Sequence, residues 1–249
     1  IGGVTASPNT FMGLWKEGGT GLKLLARSGD SAPGTDAVFD ILPTVPAIND
    51  SGEVTFLASL SLTGGTTPAT TTNDTGLWSE LGSTGLQLLI REDDTLPTQV
   101  PPLPAGTKVG KFASGAYATA HTSATTGEAA FAITFKGGST DTAVLRASVD
   151  PLNVAISVVA RQNTLAPGTT QNFASLNGSY TDSMRMDATG NLLFAALLTS
   201  PSKEGMWYQP LGGAVTKVFI AGDTAPGTSG ATFKNIKSPA IGSAGVITF

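Results

Sequence analysis

The sequence predicts an all-β fold that is β-propeller-like, built from four repeated units of about four antiparallel strands each. Three observations predict it. The 249 residues include 31 Gly and 15 Pro, which break the chain often, as many short strands joined by turns require. Thr and Ser lie beside Val, Ile and Leu, and no run is long enough for an amphipathic helix. Finally, one series of sequence blocks recurs four times along the chain.

The first block is a short strand that opens each unit. Its copies are Gly13-Leu14-Trp15, Gly76-Leu77-Trp78, Ala143-Val144-Leu145 and Gly205-Met206-Trp207, with starts 63, 67 and 62 residues apart. Trp15, Trp78 and Trp207 therefore share one strand position, which leucine takes in the third unit. Because leucine can replace tryptophan where packing is the requirement, we expect these side chains in the core between sheets. A sugar-stacking platform is the alternative.

The second block is an apolar strand that runs into a polar turn. The turn closes with Pro33, Pro97, Pro167 and Pro226, and Gly follows proline in three of the four copies, as in a type II turn. Asp30, Asp94 and Asp223 recur in this turn. We expect them to cap it by accepting backbone N–H bonds, with calcium binding as the alternative. Arg27, Arg91 and Arg161 recur just before the turn, and we expect them to bridge the strand end to it.

The third block begins with a single aromatic residue and continues as a turn and a strand. The aromatic residues are Phe39, Phe112, Phe173 and Phe233. The turn glycines Gly52, Gly127, Gly190 and Gly245 each lie four residues before Phe56, Phe131, Phe194 and Phe249. This spacing predicts a tight turn with positive φ at glycine, ahead of a buried strand. Glu53 and Glu128 follow two of these glycines, and we expect them at the surface rather than as a glycosidase pair.

The repeats define the predicted organisation of one propeller-like domain. The units span 13–62, 76–136, 143–199 and 205–249, after an N-terminal strand within 1–12 that closes the ring or ends a preceding repeat. One unit cannot bury its apolar face alone, so neighbours must stack. Tandem β-sandwiches or a β-solenoid are the alternatives. The insertions 63–75 and 99–106 are predicted to be solvent loops, where binding sites of such proteins usually lie.

Composition excludes several function classes. The formal net charge of −4 provides no basic surface for nucleic acid or anionic membrane. No apolar run approaches the roughly 20 residues that span a bilayer. The chain has no Cys and a single histidine, His121, so thiolate chemistry is absent and a zinc site or a Ser-His-Asp triad is disfavoured. We expect no cofactor, with calcium as the one candidate ion.

The blocks together resemble a family of bacterial exported tandem-repeat proteins. The resemblance rests on Asn49-x-x-Gly52-x-Val54-x-Phe56, on Gly-Leu-Trp, and on the Ala-Arg-x-Gly-Asp-x-Ala-Pro-Gly block, and it covers residues 13–249. It implies a propeller-like fold and an extracellular or cell-surface location, and it implies no activity. Asn49 has the equivalents Ala124, Asp187 and Gly242, which argues against an asparagine-based site.

These observations favour a non-enzymatic structural or adhesive module of the bacterial cell surface. We expect its partners to be other copies of the chain, joined by strand pairing, or surface polymers and glycans. A carbohydrate-binding propeller is the second hypothesis, with the ligand at the loops 63–75 and 99–106. A propeller hydrolase that uses scattered Asp and Glu is the third.

Overall fold

The computed structural model describes residues 12–19, 21–42, 45–83, 85–97, 103–121, 123, 125–136, 141–151, 153–176, 184–235, 239–242 and 245–249. Of the predicted N-terminal strand, residues 1–11 lie outside this part of the chain. The described residues form an all-β structure of several antiparallel sheets, with one turn of 3-10 helix at Leu81–Ser83. They contain no helix that is long and apolar enough to cross a membrane.

Five separate sheets follow one another along the chain. The first is a pair of strands, here named the N-terminal half-sheet: β1 (Gly13–Glu17) and β2 (Leu22–Arg27). The first complete sheet contains β3 (Ala37–Phe39), β4 (Ala47–Ile48), β5 (Val54–Gly65), β6 (Thr75–Ser79) and β7 (Gln87–Arg91).

The second complete sheet has four long strands: β8 (Lys108–His121), β9 (Gly127–Lys136), β10 (Thr142–Asp150) and β11 (Asn153–Arg161). The third contains β12 (Phe173–Ser175), β13 (Met184–Met186), β14 (Leu192–Leu198), β15 (Glu204–Gln209) and β16 (Thr216–Ile220). The C-terminal half-sheet is β17 (Ala240–Ile241) with β18 (Ile247–Thr248).

Each complete sheet is a four-position antiparallel meander. The first position is one strand, β8, in the second sheet and is split into two short strands in the first and third sheets. The second position follows the turn glycine, the third carries the Gly-Leu-Trp block, and the fourth carries the apolar strand before the Asp-Pro turn. The N-terminal half-sheet therefore supplies a third and a fourth position, and the C-terminal half-sheet a first and a second.

The sheets are offset from the sequence repeats by half a unit. Phe56 pairs with Trp78, Phe131 with Leu145 and Phe194 with Trp207, so each sheet joins the end of one repeat to the start of the next. The described residues thus form three complete sheets and two half-sheets, where the repeats taken alone predicted four four-stranded units. The physical reason is that the second and third positions pair directly as antiparallel neighbours, whereas the segment with the Asp-Pro turn leads to the next sheet.

A β-bulge recurs at the tryptophan position. The register shifts between Leu14 and Trp15, Leu77 and Trp78, Val144 and Leu145, and Met206 and Trp207. In each case one extra residue of the fourth-position strand is left unpaired, which bends that strand and increases its twist. The bulge in the N-terminal half-sheet identifies β1 and β2 as the same structural pair as in the complete sheets.

The sequence prediction for Phe112 is wrong in its register. The backbone of Phe39 exchanges hydrogen bonds with Gly29 and Asp30, and that of Phe173 does so with Asn163 and Thr164. In the second sheet Val109, not Phe112, makes these bonds, to Asp93 and Asp94. The preceding turn is longer in this unit and β8 carries two register shifts, so the aromatic ring arrives three residues later. It still packs on Phe131, at 6.1 Å between centroids.

Candidate functional site

The tryptophan position is the centre of an aromatic triad in two of the sheets. Trp78 contacts Phe39 edge-on at 5.0 Å and stacks on Phe56 at 6.5 Å. Trp207 contacts Phe173 at 4.9 Å and Phe194 at 6.3 Å with nearly the same ring angles. The indole Nε1 atoms donate to the carbonyl of Pro33 at 3.0 Å and of Pro167 at 3.1 Å. Both tryptophans are 0% exposed, so they act in packing and offer no face to a sugar.

The glycine two residues before each tryptophan is required by that ring. A Cβ atom at Gly13, Gly76 or Gly205 would lie 2.2, 2.7 or 2.4 Å from the indole Cη2 atom. In the second sheet the corresponding pair is Ala143 and Leu145, both fully buried. Because Leu145 is smaller than tryptophan, this strand has room for alanine at position 143, where the strands that contain tryptophan need glycine.

Trp15 departs from this arrangement. It has the same bulge and the same glycine beneath its ring, yet it is 53% exposed. Phe249, the counterpart of the buried Phe56 and Phe194, is 48% exposed. Large apolar side chains exposed together on sheet edges are a feature of interaction surfaces.

The recurring aspartates are engaged in the turns themselves. Asp30 accepts from Arg27 Nη2 at 2.8 Å, Asp94 from the backbone N–H of Arg91 at 2.7 Å, and Asp223 from the N–H of Ile220 at 3.0 Å. Asp223 also accepts from Lys217 Nζ at 2.9 Å. Burial alone would raise the pKa of Asp223, but these two donors outweigh it and lower the pKa. Burial raises the pKa of Asp94.

The aspartates are distributed over successive turns, and each bonds within its own turn. The part of the chain that the structure describes contains no group of three or more His, Asp or Glu side chains that could hold a metal ion. The turn geometry therefore supports capping for Asp94 and Asp223, and calcium binding stays a prediction without a site in the described residues.

Only one of the three recurring arginines bridges to its turn. Arg27 pairs with Asp30, as expected. Arg91 instead donates through Nε to the carbonyl of Asn73 at 2.6 Å, and Arg161 pairs with Asp141 at 3.1 Å. The partners Asn73 and Asp141 each precede a third-position strand. That strand pairs with the fourth-position strand that ends in the arginine.

The turn glycines behave as predicted in three copies. Gly52, Gly190 and Gly245 have φ values of 75°, 83° and 74°. The prediction is wrong for Gly127, which lies in β9 opposite His121 and Val149 and has no positive φ. Glycine is needed there for space, because a Cβ would lie 2.3 Å from Leu81 Cδ2.

Asn49 and Asp187 hold the turn itself. The Asn49 Oδ1 atom accepts from the backbone N–H groups of Ser51 at 3.0 Å and Glu53 at 2.9 Å. Asp187 Oδ1 accepts from the equivalent N–H groups of Thr189 and Asn191 at 2.9 and 3.0 Å. The Asn of the repeat motif is therefore a turn-forming residue.

The prediction that Glu53 and Glu128 lie at the surface is wrong. Both are buried, and Glu128 accepts from Ser148 Oγ at 3.0 Å and pairs with Arg146 at 3.4 Å. Burial raises the pKa of Glu128 and lowers that of Arg146, while their attraction opposes both shifts. Glu128 lies in β9 beside the β10 residues Arg146 and Ser148, and Glu53 accepts from Asn49 Nδ2 at 2.8 Å.

The carbonyl group of the turn glycine also accepts a hydrogen bond from a side chain of the preceding sheet. Lys16 Nζ donates to the carbonyl of Gly52 at 3.0 Å and to Glu80 at 2.8 Å. Arg146 donates in the same way to the carbonyl of Gly190 at 2.8 Å and to Gln209 at 3.1 Å. Lys16 and Arg146 each follow the tryptophan position by one residue. We call this recurring contact the inter-sheet latch.

The other two sheet junctions use different side chains at the same place. Leu81 packs on Gly127 between the first and second complete sheets. Tyr208, one residue after Trp207, lies against Gly245 of the C-terminal half-sheet, since a Cβ there would be 2.7 Å from Tyr208 Oη. At each of these four junctions, a side chain of one sheet therefore contacts the repeat glycine of the next.

Glu92 is a buried acid without a counterpart in the other repeats, where Ser28, Gln162 and Ala221 take its place. Its side chain is 1% exposed and lies 3.2 Å from Lys111 Nζ. Burial, aided by a hydrogen bond to Asp74 and opposed by Lys111, raises the pKa of Glu92 to about 7.

The remaining candidates are a histidine and two loops. The His121 backbone ends β8, and its side chain lies outside the described residues. The 63–75 insertion is folded over β5, with Ala69 buried and Asn73 accepting from the N–H of Thr70 at 2.8 Å. Of 99–106, residues 103–106 are described, and Leu103 there is buried. These contacts show structural roles for both segments.

Sequence reasoning missed that each complete sheet takes its strands from two consecutive repeats. A signal was available, because the strand after the turn glycine and the tryptophan strand of the next unit recur in constant order and suit a hairpin.

Comparison with known proteins gives one match. The model of a family described as "Family of unknown function (DUF7453)" matches residues 1–249. No curated protein and no solved structure matches the chain. Because the family model covers the whole sequence, the chain belongs to the family of unknown function DUF7453.

Proposed function

We propose that the chain is a non-catalytic structural module of the cell surface that assembles copy to copy by strand pairing. The observation that carries the proposal is the exposed apolar surface of the N-terminal half-sheet, where Trp15, Leu22 and Leu24 are 53%, 75% and 41% exposed. The N-terminal half-sheet has the third and fourth strand positions, and the C-terminal half-sheet has the first and second. In each complete sheet the second and third positions pair with each other.

The exposure of apolar side chains supports assembly at the N-terminal half-sheet. The tryptophan position that is buried at Trp78 and Trp207 in the complete sheets is exposed at Trp15. Large apolar side chains at a sheet edge favour pairing with another strand. Pairing with a second copy would bury the Trp15 ring.

We further propose that the sheets are arranged radially, as in a β-propeller. The second complete sheet packs on both neighbours: Tyr117 Oη donates to the carbonyl of Val45 in the first, and Arg146 bonds Gly190 in the third. Tandem sandwiches would instead pair the sheets in twos. A β-solenoid would bring parallel strands, whereas the strand pairs of this chain are antiparallel.

The competing functions have less support. A hydrolase needs two carboxyl groups that converge in a cleft. The acids that recur in the repeats instead cap turns or pair with cations inside the sheets. The glycan-binding alternative needs exposed aromatic rings. Trp78 and Trp207 are buried in the core, and of the three tryptophans Trp15 is exposed.

Sedimentation velocity over a wide range of protein concentration tests the proposal. We expect the mean mass to rise with concentration. Leu24→Lys places a charge on the exposed apolar surface of the N-terminal half-sheet and should abolish the rise, while the control Leu165→Lys changes an exposed leucine outside both half-sheets and should not. A single monomer boundary at all concentrations of the unmodified chain contradicts the proposal.

A further inference from the structure

The turn that leads from the first to the second complete sheet contains two adjacent acids in different surroundings. The two carboxylate oxygens of Asp93 contact Lys136 Nζ at 2.7 Å and Lys108 Nζ at 3.1 Å, and these lysines lower the pKa of Asp93. The side chain of Glu92 is buried, and burial raises its pKa to about 7. Asp94, the next residue, accepts from a backbone N–H at the end of β7. Neighbouring carboxyl groups of one turn therefore ionise in different pH ranges.

Glu92 and its partners lie on both sides of the junction between these sheets. Glu92 follows β7 of the first complete sheet, and its backbone N–H donates to the carbonyl of Thr75 at 2.9 Å. Lys111 belongs to β8 of the second complete sheet, and its Nζ lies 3.2 and 3.3 Å from the two Glu92 carboxyl oxygens. Asp74, just before β6, shares a hydrogen bond with the Glu92 carboxyl. A hydrogen bond between two carboxyl groups requires a proton on one of them.

The equivalent turn after the second complete sheet has a neutral side chain in the place of Glu92. Gln162 follows β11 as Glu92 follows β7, and its N–H donates to the carbonyl of Thr142 at 2.8 Å. The next residues, Asp93 and Asn163, have φ values of 70° and 64°, so the two turns share one backbone conformation. Gln162 Oε1 accepts from the N–H and the Oγ1 of Thr142 at 2.9 and 3.2 Å. An amide has donors and acceptors like a protonated carboxyl group, and it does not ionise.

The acid before the third-position strand also has different partners at the two junctions. Asp141, the equivalent of Asp74, pairs with Arg161 at 3.1 Å. Arg91, the equivalent of Arg161, donates instead to the carbonyl of Asn73 at 2.6 Å. Asp74 therefore has a carboxyl group as its partner where Asp141 has a guanidinium group.

We propose that Glu92, Asp74 and Lys111 form a pH-sensitive contact that is closed at acidic pH and opens above neutral pH. We call this group the carboxyl switch. When Glu92 holds a proton, its bonds to Asp74 and Lys111 keep the turn against β8. When it ionises, two carboxylates lie side by side with one lysine, and separation of the turn from β8 hydrates Glu92 and relieves the repulsion. Asp93 and its two lysines keep the turn attached, so the opening is local.

Backbone hydrogen bonds between the turn and β8 report this opening. The N–H of Asp93 donates to the carbonyl of Val109 at 2.9 Å, and the N–H of Val109 donates to the carbonyl of Asp94 at 3.0 Å. The matched control is the turn that contains Gln162, where the N–H of Asn163 donates to the carbonyl of Phe173 at 2.9 Å. Amide hydrogen exchange at about pH 6 and pH 8 gives protection factors, which correct for the intrinsic pH dependence of exchange.

Protection of the Asp93 and Val109 amides should fall about tenfold from the lower to the higher pH, because ionisation of Glu92 favours the open form. Protection of the Asn163 amide should stay constant. Constant protection at Asp93 and Val109 overturns the proposal. An equal fall at Asn163 also overturns it, because the whole fold would then lose stability without a local opening. This comparison is made within the unmodified chain and depends on no variant.

Three substitutions assign the change to the carboxyl switch. Glu92→Gln copies the side chain of the other turn and should leave Asp93 and Val109 equally protected at both pH values. Asp74→Asn removes a carboxyl group that raises the pKa of Glu92, so the fall should move to lower pH. Lys111→Met removes a cation that lowers this pKa, so the fall should move to higher pH. A fall that persists in Glu92→Gln, or that moves in the same direction in the other two variants, overturns the proposal.

Discussion

At the scale of single residues, the glycine and the tryptophan of each opening block depend on each other. The indole ring of Trp78 folds back over Gly76 and leaves no room for a Cβ. The second sheet uses alanine and leucine at the same two positions. The block is therefore a packing unit of two residues, which explains why both members change together in one repeat.

This coupling predicts the outcome of a double-mutant cycle. Gly76→Ala should lower the free energy of unfolding by about 1–3 kcal/mol, because the added methyl group overpacks the core. In a Trp78→Leu background the same change should cost much less. Urea unfolding measures both. Gly18→Ala, where a Cβ would meet nothing within 4 Å, is the control. Additive effects would contradict the coupling.

The raised pKa of Glu92 predicts that the free energy of unfolding depends on pH. Its pKa is about 7 in the folded chain and 4.5 in the reference state, so the folded form holds a proton that the unfolded form releases between these values. Stability from this group is complete below about pH 4.5 and is lost as the pH rises through about 7.

The variant Glu92→Gln should remove this dependence. Relative to the unmodified chain, it should gain roughly 2–3 kcal/mol in unfolding free energy between pH 5 and pH 8. Chemical unfolding at several pH values measures the difference, and Glu17→Gln, at an exposed site, serves as the control. A difference that stays constant with pH would show that Glu92 ionises normally.

At the scale of strands and sheets, the inter-sheet latch explains how consecutive sheets are held. Arg146 is buried and bonds the turn carbonyl of the next sheet, besides its pair with Glu128. Several hydrogen bonds of this one guanidinium group therefore hold the two sheets together. Lys16 does the same at the N-terminal junction.

Removing the buried latch should therefore be costly. Arg146→Ala leaves Glu128 buried without its cation and should lower the unfolding free energy by about 3–5 kcal/mol. Arg27→Ala removes an exposed pair with Asp30 and should cost roughly 0–1 kcal/mol. Thermal or chemical unfolding compares them. Similar costs for the two variants would mean that Arg146 is not a structural link.

The sequence predicts the strands and turns well, because their signals are local. Positive φ at Gly52, Gly190 and Gly245 follows from the spacing of glycine and phenylalanine. The burial of Glu128 could not be predicted in this way, since its partners Arg146 and Ser148 come from the neighbouring strand. The predicted register of Phe112 is wrong for a similar reason. The bulges in β8 shift this residue along the strand, and the sequence composition does not indicate them.

At the scale of the whole molecule, the half-unit offset between repeats and sheets is the central feature. It gives the described chain three complete sheets and two half-sheets. Within the described residues, the second and third strand positions of each complete sheet come from consecutive repeats, so strand pairing links one repeat to the next. The inter-sheet latch then holds one sheet to the next.

Amide hydrogen exchange at low and high protein concentration tests this account most directly. We predict that protection rises with concentration at residues 13–17 of the N-terminal half-sheet and stays constant in the strands of the second complete sheet. Protection at residues 13–17 that does not change with concentration, while the mean mass does, would show that the copies meet at another surface and would contradict the account.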